Sequence, residues 1–169
     1  KNGNLLLNIG PKADGTIAEP EAALLTGIGD WLTVNGEAIF ASRPWLIPGE
    51  GPTEVVAGSM IDDAFAPHTS EDVRFTTRTD VTGDYAYAIA LRWPDDGVAR
   101  IRSWGRTSGL LTRRIAELTV LGAGPVAWSQ DADALRVTLP ATPPSAVGAV
   151  VKIWLEPAHE PPRKDFLHG

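Results

Sequence analysis

Residues 1–12, Lys-Asn-Gly-Asn-Leu-Leu-Leu-Asn-Ile-Gly-Pro-Lys, constrain the fold of this chain more than any other stretch. Leu5, Leu6, Leu7 and Ile9 form a nearly continuous apolar run, the pattern of a parallel strand covered on both faces. Asn4 and Asn8 interrupt it only near its ends, Gly10-Pro11 stops it, and Asp14-Gly15 makes a second turn. Helical spacing then begins at Pro20, with Leu24, Leu25, Ile28, Trp31, Leu32 and Ile39 as the apolar positions. Pro20 suits a first helical turn, where its missing N–H costs nothing, and Glu19 and Glu21 favour that positive end. Asn35-Gly36 reads as the C-cap, and Arg43-Pro44-Trp45 ends the unit. Strand, loop and helix in this order are one βα unit, and one βα unit cannot make a domain. The chain is therefore expected to be the back end of a larger protein, an expectation that its non-Met first residue strengthens.

From residue 73 the period changes to two. Val73-Arg74-Phe75-Thr76-Thr77-Arg78 alternates, and Tyr85, Tyr87, Ile89, Leu91 and Trp93 share one face, with Ala86, Ala88 and Ala90 on the other. Pro94-Asp95-Asp96-Gly97 reads as a turn, with residues 98–104 as the returning strand of a hairpin. Residues 115–121, 134–139 and 148–155 supply three more strands. Short strands at this spacing predict an antiparallel β-sandwich, since a sheet must cover its apolar face. The expected division is a βα unit over 1–46, a Pro- and Gly-rich connector over 47–60, the sandwich over 61–156 and a mobile tail over 157–169.

Composition removes several function classes. The net charge is −6, and no basic cluster is longer than Arg113-Arg114, which argues against nucleic acid as a partner. No stretch approaches the roughly 20 apolar residues of a membrane-spanning helix. With no Cys there is neither a disulfide nor a thiolate ligand or nucleophile. Lys12 lacks the glycine spacing of a phosphate loop, the serines lack a nucleophile elbow, and His68, His159 and His168 have no zinc-site spacing. No metal and no cofactor is expected. Asp62-Asp63 and Glu71-Asp72 are the densest carboxylates; calcium is conceivable there, but a solvated acidic surface is the favoured reading. Glu37, beside the Asn35-Gly36 break, reads as a helix-capping group before a general acid.

The first forty-five residues resemble the C-terminal portion of the family 29 glycoside hydrolases, the α-L-fucosidases. Residues 1–12 with Asp14-Gly15-Thr16-Ile17 look like the last strand of that family's barrel and its loop. Ile28-Gly29-Asp30-Trp31-Leu32 and Val34-Asn35-Gly36-Glu37-Ala38-Ile39 look like the last barrel helix, and Arg43-Pro44-Trp45 like its exit. Residues 73–77 and 87–91 with Trp93-Pro94 are similar to the family's C-terminal β-sandwich. The resemblance implies a mainly β chain: a C-terminal antiparallel β-sandwich preceded by the last βα unit of a (β/α)8 barrel. It also implies a retaining hydrolase acting on terminal α-L-fucosyl linkages of fucosylated glycans, with an Asp nucleophile and a second acid about 5–5.5 Å away. Both carboxylates are implied to lie upstream of Lys1, so no catalytic residue is expected in this chain and the chain alone is expected to be inactive. The alternative is a non-catalytic carbohydrate-binding or structural sandwich.

Four residues stand as candidate substrate contacts. Asn8 and Gly10 fall at the C-terminal end of the implied barrel strand, the face on which barrel enzymes build their sites, although an Asn there also serves to tie down a turn. Trp104 shares a face with Arg100 and Arg102, and Trp154 one with Lys152, so these two of the six tryptophans are candidate sugar-stacking platforms. Packing against a neighbouring domain or under a loop is the favoured alternative for both. Trp31 and Trp93 are expected in the core.

Overall fold

The computed structural model describes residues 5–54, 66–145 and 147–157. Asp62-Asp63, His159, His168 and most of the expected tail lie outside the described residues.

Helix α1 spans Glu19–Asn35 and runs into a 3-10 turn at Gly36–Ala38. Nine strands follow among the described residues: β1 Arg43–Glu50, β2 Val73–Asp80, β3 Gly83–Ala90, β4 Val98–Ile101, β5 Ile115–Val120, β6 Gly124–Pro125, β7 Trp128–Gln130, β8 Leu135–Thr138 and β9 Ala149–Leu155. They form a six-stranded sheet in the order β1-β2-β3-β9-β5-β6 and a three-stranded sheet in the order β4-β8-β7. Every pairing is antiparallel.

The alternation in β3 explains the layering. Ala86 and Ala88 point into the space between the sheets, with Phe75, Val120 and Ile153 of the large sheet and Ile101, Leu135 and Val137 of the small one. Tyr87 and Ile89 point the other way, where Leu121 and Val150 join Ala38 and Trp31. The centre of the large sheet is therefore buried on both faces. The indole Nε1 of Trp31 donates to Val147 O at 2.9 Å, and the Thr76 hydroxyl donates to Ala38 O at 2.7 Å. These bonds fasten the C-terminal end of α1 to the outer face of the large sheet.

Four corrections to the sequence reading concern the fold. Leu5 to Ile9 do not form a strand, and Leu5 and Leu6 are 88% and 85% exposed. A parallel strand exists only through its neighbours' hydrogen bonds, and no strand of the described residues lies beside this segment. Residues 43–50, read as exit and start of a connector, form edge strand β1. Its pairing with β2 is irregular between Pro44 and Gly49, and prolines are tolerated at such an edge. Residues 98–104 do not return along β3: β3 pairs with β9, and β4 pairs with β8 in the other sheet. Trp93 is in contact with the core as expected, but with the cluster between the sheets, not with Ile89 and Leu91.

Candidate functional site

The two pairs of candidate contacts are not brought together. Asn8 and Gly10 are exposed, and a Cβ placed on Gly10 would lie 3.7 Å from Glu21 Oε1, beside the first turn of α1. Trp154 sits on the large sheet, two positions beyond Lys152, which contacts the chain just after the C-terminal end of α1.

Trp104 is 0% exposed and has no face on which a sugar could stack, which removes it as a platform. The physical reason is local. Strand β4 ends at Ile101, and the chain turns into a 3-10 turn at Arg102–Trp104. The two-residue alternation that would place Trp104 beside Arg100 and Arg102 stops there. Glu50 caps this turn, accepting from Arg102 N at 2.7 Å, from Ser103 N at 2.6 Å and from the Ser103 hydroxyl. Asp72, read with Glu71 as solvated surface, is fully buried. It accepts hydrogen bonds from the backbone and hydroxyl groups of Thr53 and Thr69. With four donors already filling it, this carboxylate has little left to offer a cation. No group of three or more His, Cys, Asp or Glu able to hold a metal occurs among the described residues.

Glu37 is not a helix cap. Its Oε1 accepts from Tyr87 Oη at 2.8 Å and from Lys152 Nζ at 2.5 Å, joining the turn after α1 to β3 and β9. Burial by itself would raise the Glu37 carboxyl. The hydrogen bonds from Lys152 and Tyr87 and the charges of Lys152 and Arg78 outweigh it, and the group lies below its ordinary value. Burial, then the adjacent Glu37, push the Tyr87 hydroxyl well above its ordinary value. At neutral pH Glu37 is therefore a carboxylate and Tyr87 a neutral phenol. A general acid must hold a proton at working pH, so Glu37 is a fastening and not an acid. Glu37→Ala leaves the Lys152 ammonium and Tyr87 hydroxyl without this partner. It is expected to lower the free energy of unfolding by about 1.5–3 kcal/mol in urea titrations. An unchanged midpoint would show that solvent replaces the carboxylate at no cost.

Beyond Lys152 the outer face of the large sheet opens into a shallow groove of about 260 Å³ lined by Thr82, Tyr85, Glu117, Thr119, Lys152 and Trp154. Register sets its layout. Tyr85 and Glu117 flank Trp154 in one row, and Tyr87 and Thr119 flank Lys152 in the next. The Lys152 ammonium lies 4.4 Å from the centre of the Tyr85 ring. Trp154 is 38% exposed. The sequence signal for this groove was the alternation that paired Trp154 with Lys152; the contributions of Tyr85, Glu117 and Thr119 depend on strand order and were not legible.

Comparison with known proteins fits this architecture. Residues 1–37 match the family model described as alpha-L-fucosidase, and residues 66–155 match the alpha-L-fucosidase C-terminal domain. The tissue alpha-L-fucosidase of Homo sapiens is 38% identical over 149 residues, which cover 87% of this chain and 26% of that protein. The plasma alpha-L-fucosidase of Homo sapiens is 34% identical over 140 residues, covering 82% of this chain and 25% of that protein. Among solved structures, Thermotoga maritima alpha-fucosidase in complex with a mechanism-based inhibitor superposes with a TM-score of 0.59 at 24% identity, covering 90% of this chain and 30% of that one. Alpha-L-fucosidase isoenzyme 1 from Paenibacillus thiaminolyticus superposes with a TM-score of 0.57 at 24% identity, covering 92% of this chain and 31% of that one. At such identities the superpositions establish the fold. The chain spans about a quarter of the length of the curated relatives it matches. With the C-terminal-domain model matched over the sandwich and the α-L-fucosidase model over the segment leading into it, the chain belongs to the α-L-fucosidase family.

Proposed function

We propose that this chain is the C-terminal part of a retaining α-L-fucosidase that hydrolyses terminal α-L-fucosyl linkages, and that its sandwich braces the catalytic barrel. The observation that carries this reading is the order of the two family matches, with the match over residues 1–37 preceding the match over residues 66–155. The exposed apolar residues support it. Leu5, Leu6 and Leu24 are 88%, 85% and 63% exposed, on a segment and a helix that a barrel would cover. The division into a barrel segment, the sandwich and a tail belongs to the same proposal. Retention requires two carboxyl groups about 5–5.5 Å apart across the sugar, and the proposal assigns neither to this chain.

Two preparations test it, each incubated with 4-nitrophenyl α-L-fucoside: the chain alone, and the product of the complete reading frame that contains it. The chain alone is expected to release no nitrophenol. The complete product is expected to release it, with the α-anomer of fucose appearing first by NMR. Turnover by the chain alone would place the catalytic pair within it. An inert but folded complete product would remove the hydrolase reading.

A further inference from the structure

We infer that the groove around Trp154 is a carbohydrate-binding subsite that takes a single pyranose ring stacked on the Trp154 indole. The first support is the way the indole is held. Gly83, which opens β3, has φ 147°, and a Cβ there would lie 2.3 Å from Trp154 Nε1. The missing side chain lets the indole lie close against the backbone of the adjacent strand while 38% of the residue stays exposed. An aromatic fixed in this way presents a flat apolar face at little further entropic cost on binding.

The second support is the distribution of polar groups. Lys152 is committed to Glu37 at 2.5 Å and covers the Tyr85 ring at 4.4 Å. Trp154 is therefore the aromatic left open in the groove. Thr82 and Tyr85 share a hydrogen bond at 2.9 Å between their oxygens. The Glu117 carboxylate and the Thr119 hydroxyl, by contrast, have no side-chain hydrogen bond among the described residues, and both line the groove. Glu117 pairs with Trp154 across the sheet and lines the same groove, so a carboxylate-bearing residue stands beside the indole. An apolar plate beside a carboxylate and a hydroxyl matches a pyranose, whose apolar ring face is bordered by hydroxyl donors and acceptors. The groove, at about 260 Å³, is of monosaccharide size.

The location gives the subsite its meaning. Helices of a (β/α)8 barrel run away from the catalytic face. The first turn of α1 is beside Gly10, and the groove lies past the other end of the helix. On the proposed function the subsite is therefore remote from the catalytic mouth and holds a different residue of a branched glycan, or a neighbouring glycan, while the barrel acts. The binding itself does not depend on that function, because it is measured without turnover.

Calorimetric titration of the chain with 2′-fucosyllactose and with lactose tests it. Saturable binding with a Kd of about 1 mM is expected for at least one of them. Trp154→Ala is expected to weaken that binding about tenfold or more, and Glu117→Gln to weaken it measurably. Trp128→Ala, which removes a 39% exposed tryptophan on the small sheet, is expected to leave it unchanged. If Trp154→Ala fails to fold by circular dichroism, Trp154→Phe with a retained ring and Glu117→Gln carry the test. Absence of saturable binding to either sugar overturns the subsite, as does equal binding by the Glu117 and Trp154 variants. Binding by the chain that disappears in the complete product also overturns it, and would make the groove a surface that the rest of the protein covers.

Discussion

Trp104→Ala is expected to lower the free energy of unfolding by about 3–5 kcal/mol. That is a large part of the roughly 5–15 kcal/mol that holds a typical domain together. Trp104 is wholly buried and joins the two layers of the sandwich. Its ring centre lies 6.0 Å from that of Trp45, edge-on at 83°, and 5.5 Å from that of Phe75. Trp45 and Phe75 are themselves 5.0 Å apart. Trp45 is on edge strand β1, Phe75 on β2, and Trp104 on the turn that follows β4 of the small sheet. Truncation therefore opens a cavity where the large sheet's edge meets the small sheet, and removes the aromatic contacts as well as the buried area.

A graded series separates packing from polarity. The Trp104 Nε1 is buried and has no hydrogen-bond partner among the described residues. Trp104→Phe therefore loses ring volume without breaking a hydrogen bond, and is expected to cost clearly less than Trp104→Ala in urea titrations. Trp154→Ala, at a 38% exposed position, serves as the comparison and should cost the least of the three. An alanine variant within about 1 kcal/mol of the native chain would show that the sheets close over the gap and that Trp104 does not hold them together.

Strand parity explains what could and could not be read from the sequence. Strand β9 runs unbroken from Ala149 to Leu155, so the alternation that put Trp154 and Lys152 on one face, opposite Ile153, holds. The same argument fails at Trp104 because the strand stops three residues earlier. Alternation also cannot say which sheet a strand joins. The turn at residues 94–97 is present, with Gly97 N donating to Pro94 O at 3.0 Å, yet it carries the chain to the other layer instead of back along β3. Strand β1 was hidden by Pro44, Pro48 and Gly49, which an edge tolerates and a central strand would not. Glu37 and Asp72 were misread for one reason: their partners are far away in sequence. Tyr87 and Lys152 hold the first, and Thr53 from another loop helps to hold the second.

Asp72→Asn is expected to destabilise the sandwich by at least about 3 kcal/mol at neutral pH, and the difference from the native chain should shrink as the pH falls. Asp72 Oδ1 accepts from Thr53 N at 3.0 Å. Its Oδ2 accepts from Thr53 Oγ1 at 2.7 Å, Thr69 N at 2.6 Å and Thr69 Oγ1 at 2.9 Å. An amide nitrogen in place of either oxygen faces donors with a donor, and at the crowded Oδ2 position it cannot accept from the Thr69 backbone. Nearby backbone is packed to fit: Gly51 has φ 124°, and a Cβ there would lie 2.5 Å from Asp72 Oδ1. Burial alone would raise the Asp72 carboxyl, but the hydrogen bonds from Thr69 and Thr53 outweigh it and hold the group far below its ordinary value. In the unfolded chain the same carboxyl takes up a proton at about pH 3.9. The unfolded state thus binds the proton first on acidification. The contribution of Asp72 is complete above about pH 5 and is lost as the pH drops through the unfolded value toward the lower native one. Asp80 and Asp131, each lowered to about 2, add acid sensitivity of the same sign to native and variant proteins alike. Only the difference between the two proteins therefore reports Asp72. Urea titrations of both at pH 7, 5 and 3 measure it, with a gap that is equal at pH 7 and 5 and smaller at pH 3. A gap independent of pH would mean that the Asp72 carboxyl takes up its proton at the same pH in the native and unfolded states, so that the hydrogen bonds from Thr53 and Thr69 do not favour its ionised form.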